Sequence, residues 1–313
     1  MATMPTSTTP RENERTTRRE NERKLGSTIE SPPEFADCPE DRKQGAFQEG
    51  SCEMRPFDVV GVGQNSVDEV VLLPRMPAPS GGLSKLRIRR RDVRCGGQTA
   101  TAMAACARLG LRARYVGPVG ADENGRRMLQ ALAAEGVDVS EAVRMDYPNG
   151  TALVLVDETT GERIVLWQRD ERLALGEGDV AAGTLAGATL VHVDDGDTAT
   201  ATRTARLART LKIPVTSDID KTLDTTEELV SVVTYPIMAE HVPSALTGES
   251  DLEAALMRMR RRFDQTLTVT LGPRGAVALE GDRLIRQPAF AVDAIDTTGA
   301  GDVFRAGFIY ALL

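Results

Sequence analysis

Short apolar runs that alternate with helix-like segments constrain the fold of this chain more than any other feature. The run "FDVVGVG" at 57–63 has the pattern of a buried strand, and "ATLVHVD", "IPVTSDID" and "TLTVTLG" follow with helical periodicity between them. Strands that alternate with helices pair in parallel and bury both faces of their sheet. The sequence therefore predicts an α/β domain whose mainly parallel sheet carries helices on both faces.

Two regions depart from this alternation. "VDEVVLLP" and "SKLRIRRRDVRC" are strand-like without an intervening helix, and "TALVLVD" and "ERIVLWQ" are joined by the turn sequence "ETTG". These strands fall at about 68–95 and 151–168. We expect them to form a small separate sheet that covers the main one.

The first 54 residues differ from the rest of the chain. They carry charges of both signs and few large apolar residues, as in "RENERTTRRENERK". Such a segment cannot bury enough apolar surface to offset the entropy of ordering it. We expect a disordered charged tail over 1–54 and one folded domain over 55–313, with a docking role for the tail as the functional alternative.

Composition restricts the partners and the cellular location. A net charge of −8 and a pI near 5.1 argue against a nucleic-acid binder. The sequence has neither an apolar stretch of about 18 residues nor a secretory signal, so we expect no membrane partner. Four cysteines without a CxxC pair, and only two histidines, indicate reduced cytoplasmic thiols rather than a zinc site.

The stretch "DTTGAGDVF" at 296–304 has the strongest chemical signal. An extended segment precedes it, and "DVFRAGFIYALL" after it has the character of a helix with Phe304, Phe308 and Leu312 spaced by four. The amides at a helix N-terminus, together with the helix dipole, bind anions, and glycines let the backbone approach closely. Asp302 in the first turn would stay ionised and accept a proton from an attacking hydroxyl, as phosphoryl transfer requires. A glycine turn before a capped helix is the alternative.

Two further segments accompany this motif in order along the chain: "GGQTATAMAACARLG" at 96–110 and "VTLGPRG" at 269–275. Together with "DTTGAGDVFRAGF", they resemble the signatures of the PfkB, or ribokinase-like, family of carbohydrate kinases over residues 57–313. The resemblance implies a three-layer α/β/α ribokinase-like fold with a small β lid. It also implies transfer of the γ-phosphate of ATP to a hydroxyl of a small carbohydrate.

The resemblance also implies roles for individual residues. Asp302 would be the catalytic base, and the backbone anion hole would consist of Gly299, Ala300 and Gly301. The implied substrate-binding residues are Asp68, Gly96, Gly97, Thr101 and Asp194. The implied nucleotide-binding residues are Thr270, Gly272 and Gly275, with Glu240 near Mg²⁺ and the phosphates. A monovalent-cation site, occupied by K⁺ in this interpretation, would include Asp296 and Thr298.

The sequence departs from the family pattern at three places. Thr101 stands where the family usually has asparagine, and Ser66 stands where a sugar-contacting asparagine is expected, with Asn65 one position away. The N-x-x-E motif falls on Ala239 and Val242, which leaves Glu240 as the nearest substitute. The identity of the sugar and the arrangement of Mg²⁺ therefore stay open.

Several interpretations compete with the sugar kinase. A nucleoside kinase of the same fold would use the same Asp302, but aromatic residues for a base pocket make up only 4% of the chain. A truncated, weakly active or non-catalytic relative is another, because the chain ends at Leu313 in the apolar helix "GFIYALL", whereas the family continues. An NAD-dependent oxidoreductase is disfavoured, since "VVGVGQNS" lacks the third glycine and a strand follows it.

Three further expectations concern surfaces and single residues. The lid hairpin makes a homodimer through lid strands a reasonable hypothesis. The single tryptophan, Trp167, would stack on a sugar, join a dimer contact or pack partly buried within the lid. His192 lies in an apolar strand, which indicates a core residue rather than a ligand.

Overall fold

The computed structural model describes residues 56–292 and 297–313. The predicted tail over 1–54 and the predicted cation ligand Asp296 lie outside the described residues. The start of the folded domain at residue 55 stays a prediction. Cys95 and Cys106, the two cysteines in the described part, are free.

Parallel strands form the centre of the domain. Four of them pair in the order β10-β9-β1-β4, and these are β1 (Phe57–Val62), β4 (Ala113–Val116), β9 (Ala188–Asp194) and β10 (Val215–Asp218). A second set pairs as β11 (Ile237–Ala239), β12 (Leu267–Thr270), β13 (Ala276–Glu280) and β14 (Arg283–Gln287). Parallel bridges from Thr216 to Tyr235 and from Ile219 to Met238 connect the two sets. Within these two sets, only the pairs β12–β13 and β13–β14 are antiparallel, which confirms the predicted mainly parallel sheet.

Eight helices occur in the described residues. They are α1 (Gln98–Arg108), α2 (Glu123–Ala134), α3 (Ala182–Ala186), α4 (Thr198–Thr210), α5 (Thr226–Val232), α6 (His241–Thr247), α7 (Leu252–Arg260) and α8 (Ala300–Leu312). Aspartate side chains cap the first turns of α2, α4 and α7: Asp122, Asp197 and Asp251 each accept a hydrogen bond from the backbone N–H three residues later. None of the helices in the described ranges combines the length and apolar character needed to cross a membrane.

The apolar core lies on both faces of the parallel sheet. On β1, Val60 and Val62 belong to a cluster that includes residues of α4, α5 and α7, whereas Val59 belongs to a second cluster with residues of α1, α2 and α8. Successive side chains of a strand point to opposite faces, so one strand contributes to both clusters. This arrangement produces three layers, helix–sheet–helix.

The strands outside the alternation form a separate four-stranded sheet in the order β3-β2-β7-β8. Its strands are β2 (Ser66–Leu73), β3 (Arg90–Gly96), β7 (Thr151–Asp157) and β8 (Arg163–Gln168). The predicted strand over 84–95 begins only at Arg90, because its partner β2 ends at Leu73 before Pro74 and the pairing stops at Leu72. A further short parallel pair consists of β5 (Pro118–Gly120) and β6 (Val143–Met145).

Helix α8 does not bury the face that carries its large apolar residues spaced by four. Phe304 and Phe308 are only partly covered, and Leu312 is exposed. The buried residues of α8 are Arg305, Ala306 and Ile309. Ala306 and Ile309 join the cluster that contains the small residues of α1, so close approach of the two helices selects this face. An arginine therefore lies inside the core.

Candidate active site

Helix α8 begins at the glycine-rich motif. Gly299 adopts φ 77° immediately before the first helical residue, Ala300, a conformation that favours glycine. The N–H of Ala300 donates to the carbonyl of Thr297 at 3.2 Å. The amides that follow in the first turn lack intrahelical acceptors, because a helix leaves its first N–H groups unpaired. The predicted anion-binding backbone therefore starts a helix that carries Asp302 in its first turn.

Asp302 belongs to a group of buried charges. Burial raises the pKa of its carboxyl well above the usual range for aspartate, and the nearby Asp218 carboxyl raises it further. This is contrary to the expectation that its place in the first helical turn keeps it ionised, because burial and Asp218 outweigh the helix dipole. Asp218 ends β10, and burial likewise raises its pKa. Arg305 lowers the pKa of both carboxyls by its charge, and its guanidinium forms an ion pair with Asp218 at 2.7 Å. Carboxyl groups with raised pKa values in a cleft are typical of groups that exchange protons with a substrate.

Asp194, a predicted substrate-binding residue, ends the neighbouring strand β9 and is 1% exposed. Its Oδ2 accepts hydrogen bonds from the N–H of Gln64 at 2.7 Å and from the hydroxyl of Thr99 at 2.6 Å. The N–H of Thr99 also donates to Oδ2, and the N–H of Gly196 donates to Oδ1 at 3.0 Å. The carboxylate thereby ties the loop after β1 to the first turn of α1.

The structure places Asp68 directly beside the glycine pair Gly96 and Gly97. Asp68 lies on β2 and accepts a hydrogen bond from the hydroxyl of Ser66 at 2.6 Å; burial raises the pKa of its carboxyl. A Cβ on Gly96 would collide with the carboxylate of Asp68, and a Cβ on Gly97 would collide with the backbone of Asn65. Glycine at both positions therefore lets α1 begin directly beside Asp68.

Two of the departures from the family pattern have visible consequences. Thr101 on α1 places its Cγ2 3.5 Å from the point where a Cβ on Gly299 would lie, so it borders the motif of α8. Asn65 is buried, and its Nδ2 donates to the hydroxyl of Tyr115 at 2.9 Å and to the carbonyl of Pro118 at 2.8 Å. The side-chain amide of Asn65 therefore anchors the loop after β1.

The predicted nucleotide residues lie at the carboxyl ends of β11 and β12. Thr270 ends β12, and its hydroxyl donates to the carbonyl of Met238 at 3.4 Å. Gly272 and Gly275, at φ 56° and 94°, enclose the single turn that follows. Glu240 follows β11 and forms an ion pair with Arg274 of that turn. Because β9, β10, β11 and β12 are parallel, these groups share one edge of the sheet with Asp194 and Asp218.

Thr298, the predicted cation ligand that the structure describes, is exposed at the turn before α8. Its neighbour Thr297 accepts a hydrogen bond at 2.6 Å from the guanidinium of Arg163 on β8, which connects the small sheet to the motif. Trp167 on the same strand is 72% exposed, so the expectation of a partly buried packing residue is wrong; its ring lies 5.9 Å from the ammonium group of Lys221. His192 is fully buried, as its sequence context predicts.

The comparisons with known proteins agree with this geometry. A family model described as pfkB family carbohydrate kinase matches residues 76–313. The chain therefore belongs to the pfkB family of carbohydrate kinases, a family of ATP-using enzymes. This finding confirms the family that the three sequence motifs indicated.

Individual relatives cover most of the chain. An ATP-dependent ribose-1-phosphate kinase from Halopiger xanaduensis is 30% identical over 259 residues, which cover 80% of this chain and 83% of that protein. A nucleoside kinase from Methanothermobacter thermautotrophicus is 26% identical over 262 residues, 82% of each chain. The structure of a proposed ribokinase from Agrobacterium tumefaciens superimposes with a TM-score of 0.75 at 28% identity, covering 82% of this chain and 84% of that one. The ribokinase-like fold is thus confirmed.

Sequence reasoning missed Asp218 and Arg305. Two signals point to them in retrospect. Asp218 ends its strand as Asp194 ends the preceding one, and Arg305 is, after Asp302, the one further charged residue of the mainly apolar helix α8. Neither signal reveals that the two side chains meet, because their contact depends on the order of the strands.

Proposed function

We propose that this carbohydrate kinase transfers the γ-phosphate of ATP to a hydroxyl group of a small sugar, with Asp302 as the general base. The observation that supports this most directly is the location of Asp302. It lies in the first turn of α8, three residues after the N-cap Gly299, and buried charged side chains surround it. A proton acceptor beside an anion-binding backbone is the combination that phosphoryl transfer to an alcohol requires.

The proposed step has a simple balance of bonds. The substrate O–H bond breaks and its proton passes to the carboxylate of Asp302. The freed oxygen forms a bond to the γ-phosphorus, while the bond from that phosphorus to the bridging oxygen of ADP breaks. The backbone of Gly299, Ala300 and Gly301 would stabilise the charge on the phosphoryl oxygens, since helix N-terminal amides bind anions.

The sugar would lie among groups suited to hydroxyls. Asp68 has one carboxylate oxygen engaged by Ser66 and lies beside Gly96, so it is available to accept a hydrogen bond from a sugar hydroxyl. Thr101 and the backbone of Gly97 would complete the contacts. We place Asp194 in the site as the residue that orients Gln64 and Thr99, because its oxygens already accept four hydrogen bonds from the protein. A site built on such hydrogen bonds rejects analogues that lack the hydroxyls.

The nucleotide and its ions would bind at the other end of the same sheet edge, by Thr270, Gly272 and Gly275. Mg²⁺ neutralises nucleotide phosphates when it is bound, and it needs only one or two protein carboxylates in addition to phosphates and water. The donor set fits that mode, since the described residues contain no cluster of three or more metal-ligating side chains and Glu240 is the acidic group next to the glycine turn. We further propose that Thr298 and Asp296 hold a monovalent cation such as K⁺.

A nucleoside kinase is the second candidate. The 26% identical nucleoside kinase from Methanothermobacter thermautotrophicus favours it. The chemistry at Asp302 would be the same, and the difference would lie in a pocket for the base. Trp167, exposed on β8, would be the aromatic residue available for stacking.

A kinase assay with a panel of acceptors tests these proposals. The panel comprises ribose, fructose, a keto-deoxy sugar acid, adenosine and cytidine, each with Mg²⁺ and ATP. We expect ADP formation with a sugar, and a loss of about 10³-fold or more in Asp302→Asn, as removal of an essential base typically gives. Asp264→Asn, at a fully exposed surface carboxylate, is the matched control. Activity of Asp302→Asn equal to that of the control would refute the base assignment, and phosphorylation of the nucleosides alone would favour the second candidate.

We also propose a cytoplasmic homodimer that forms through the small sheet. Strand β8 lies at the edge of that sheet, and Ile164, Leu166 and Trp167 on it are exposed. Exposed apolar edge strands are prone to pair with another copy. Light scattering of the wild type and of Leu166→Lys tests this: a dimer that the substitution converts to a monomer supports the proposal, whereas a wild-type monomer contradicts it.

A further inference from the structure

Arg305 is the charged residue of α8 that the proposed reaction does not use, although it is almost completely buried. Its side chain and that of Asp218 are each 5% exposed, and they form an ion pair at 2.7 Å. Removing two charges from water carries a desolvation cost that their attraction often fails to repay, so a buried ion pair adds little to stability. An apolar residue would pack beside Ala306 at lower cost, which indicates that the charge has another role.

The position of Arg305 links it to the proposed anion hole. It follows Asp302 by three residues, so both side chains lie on the same side of α8. Its Nη1 lies 2.8 Å from the point where a Cβ on Gly301 would lie. Glycine at 301 therefore leaves the room that the guanidinium occupies directly beside the first turn of the helix.

The charges that act on Asp302 and Asp218, apart from Arg305 itself, come from the ends of two neighbouring strands, β9 and β10. Asp194 ends β9 and Asp218 ends β10, and both repel the carboxylate of Asp302. Asp195 and Asp220 add repulsion at Asp218, while Lys221 attracts Asp195. His192 lies within the electrostatic influence of Arg305, and burial holds it neutral by lowering its pKa to about 3. Arg305 is thus the cation that acts on Asp302 and Asp218 together.

We propose that Arg305 and Asp218 are positioning residues that set the ionisation of Asp302, with Arg305 favouring its carboxylate and Asp218 opposing it. This inference rests on the proposed function of Asp302 as a base. The balance matters because a base must be ionised to accept a proton, yet a base whose pKa lies near the working pH accepts that proton most readily. The directions of the pKa shifts agree with this assignment: Asp218 raises the pKa of Asp302 and Arg305 lowers it.

The proposal predicts that substitutions of Asp218 and of Arg305 shift the titration of Asp302 in opposite directions. In Asp218→Asn the acidic limb of the kcat–pH profile should move to lower pH by about one unit, because a repelling carboxylate is lost. In Arg305→Gln the limb should move to higher pH by about the same amount, and Arg305→Lys should restore the wild-type position. Arg258→Gln, which removes an exposed arginine paired with Glu249, is the matched control and should leave the limb in place. A purely structural pair would lower kcat at every pH without moving the limb, and that outcome would overturn the proposal.

A second measurement keeps the test independent of activity and of folding failures. Carboxyl ¹³C NMR titration, with the Asp302 signal assigned by its loss in Asp302→Asn, should show the same opposite shifts. If no acceptor on the panel is phosphorylated, the proposed function fails, while this titration still decides the role of Arg305. Arg305→Gln alone could fail to fold because Asp218 is left unpaired. In that case the effect of Arg305 on Asp302 is measured by comparing Asp218→Asn with the double variant Asp218→Asn/Arg305→Gln. The double variant should titrate at higher pH than Asp218→Asn, and identical titrations would overturn the proposal.

Discussion

Asp194 and Thr99 are joined by two hydrogen bonds although 95 residues separate them in the sequence: Oδ2 of Asp194 accepts from the Thr99 hydroxyl at 2.6 Å and from its N–H at 3.2 Å. The same oxygen accepts from the N–H of Gln64. One buried carboxylate therefore fixes the loop after β1 and the start of α1, the two segments that border the proposed sugar site. The geometry of that site depends on a residue whose oxygens are already occupied by the protein.

Substitution of Asp194 by alanine should destabilise the protein strongly. The change leaves buried donors of Gln64, Thr99 and Gly196 without acceptors, and we expect a loss of about 3 kcal/mol in the free energy of unfolding. Asp197→Ala removes a helix cap from α4 and should cost about 1 kcal/mol. Urea unfolding of both variants provides the comparison. An equal loss in the two would show that the Asp194 network contributes no more than an ordinary cap.

Gly97→Ala should be far more damaging than Gly136→Ala. Both glycines have positive φ angles, 95° and 84°, so alanine is strained at either position. At Gly97 the new Cβ also collides with the backbone of Asn65, whereas nothing lies within 4 Å at Gly136. We expect a loss of about 1 kcal/mol for Gly136→Ala and about 3 kcal/mol or more for Gly97→Ala, together with weakened sugar binding. Thermal unfolding and sugar titration measure both effects, and similar losses at the two sites would contradict the steric argument.

The sequence could predict those features of the site that neighbouring residues determine. It could not predict the contacts between residues that are distant in the sequence. The place of Asp302 followed from one continuous motif, because a glycine turn and a helix start are set by neighbouring residues. The contact of Asp218 with Arg305 depends on which strand lies beside β9 and on which face of α8 is buried. Alternation of strands and helices predicts parallel pairing but leaves the strand order open.

The buried face of α8 likewise could not be read from its own sequence. Large apolar side chains usually face the core, yet Phe304 and Phe308 are only partly covered. Instead, α8 buries Ala306 and Ile309 in the cluster that also contains Ala102 and Met103 of α1. Close packing of two helices is governed by the shape of both surfaces, and periodicity in one helix contains no information about the other.

The acid stability of the protein should depend on His192. Burial lowers its pKa to about 3, so in the folded chain the ring stays neutral while the unfolded chain binds a proton below about pH 6.5. This group therefore contributes stability that is lost as the pH falls from about 6.5 towards 3, by about 1.4 kcal/mol per pH unit. In His192→Gln the unfolding free energy should fall less steeply with decreasing pH in that window. The difference in slope should correspond to one fewer proton taken up on unfolding. His241→Gln, at an exposed position, is the control, and equal slopes in the wild type and His192→Gln would refute the prediction.

Asp302→Asn should stabilise the protein while it abolishes activity. The folded-state pKa of Asp302 is raised, mainly by burial and then by Asp218, so the folded chain holds a proton that the unfolded chain releases above about pH 4. Stability from this group is consequently present at low pH and is lost as the pH rises through the folded-state pKa. The uncharged amide removes that loss, and we expect a gain of at least about 1 kcal/mol at pH 8, or roughly 2–4 °C in Tm, with a smaller gain at pH 5. Calorimetry at both pH values measures it, with Asp264→Asn as the exposed control. A lower Tm for Asp302→Asn than for the control at pH 8 would show that the carboxylate is stabilised where it lies, and would contradict the electrostatic description of the site.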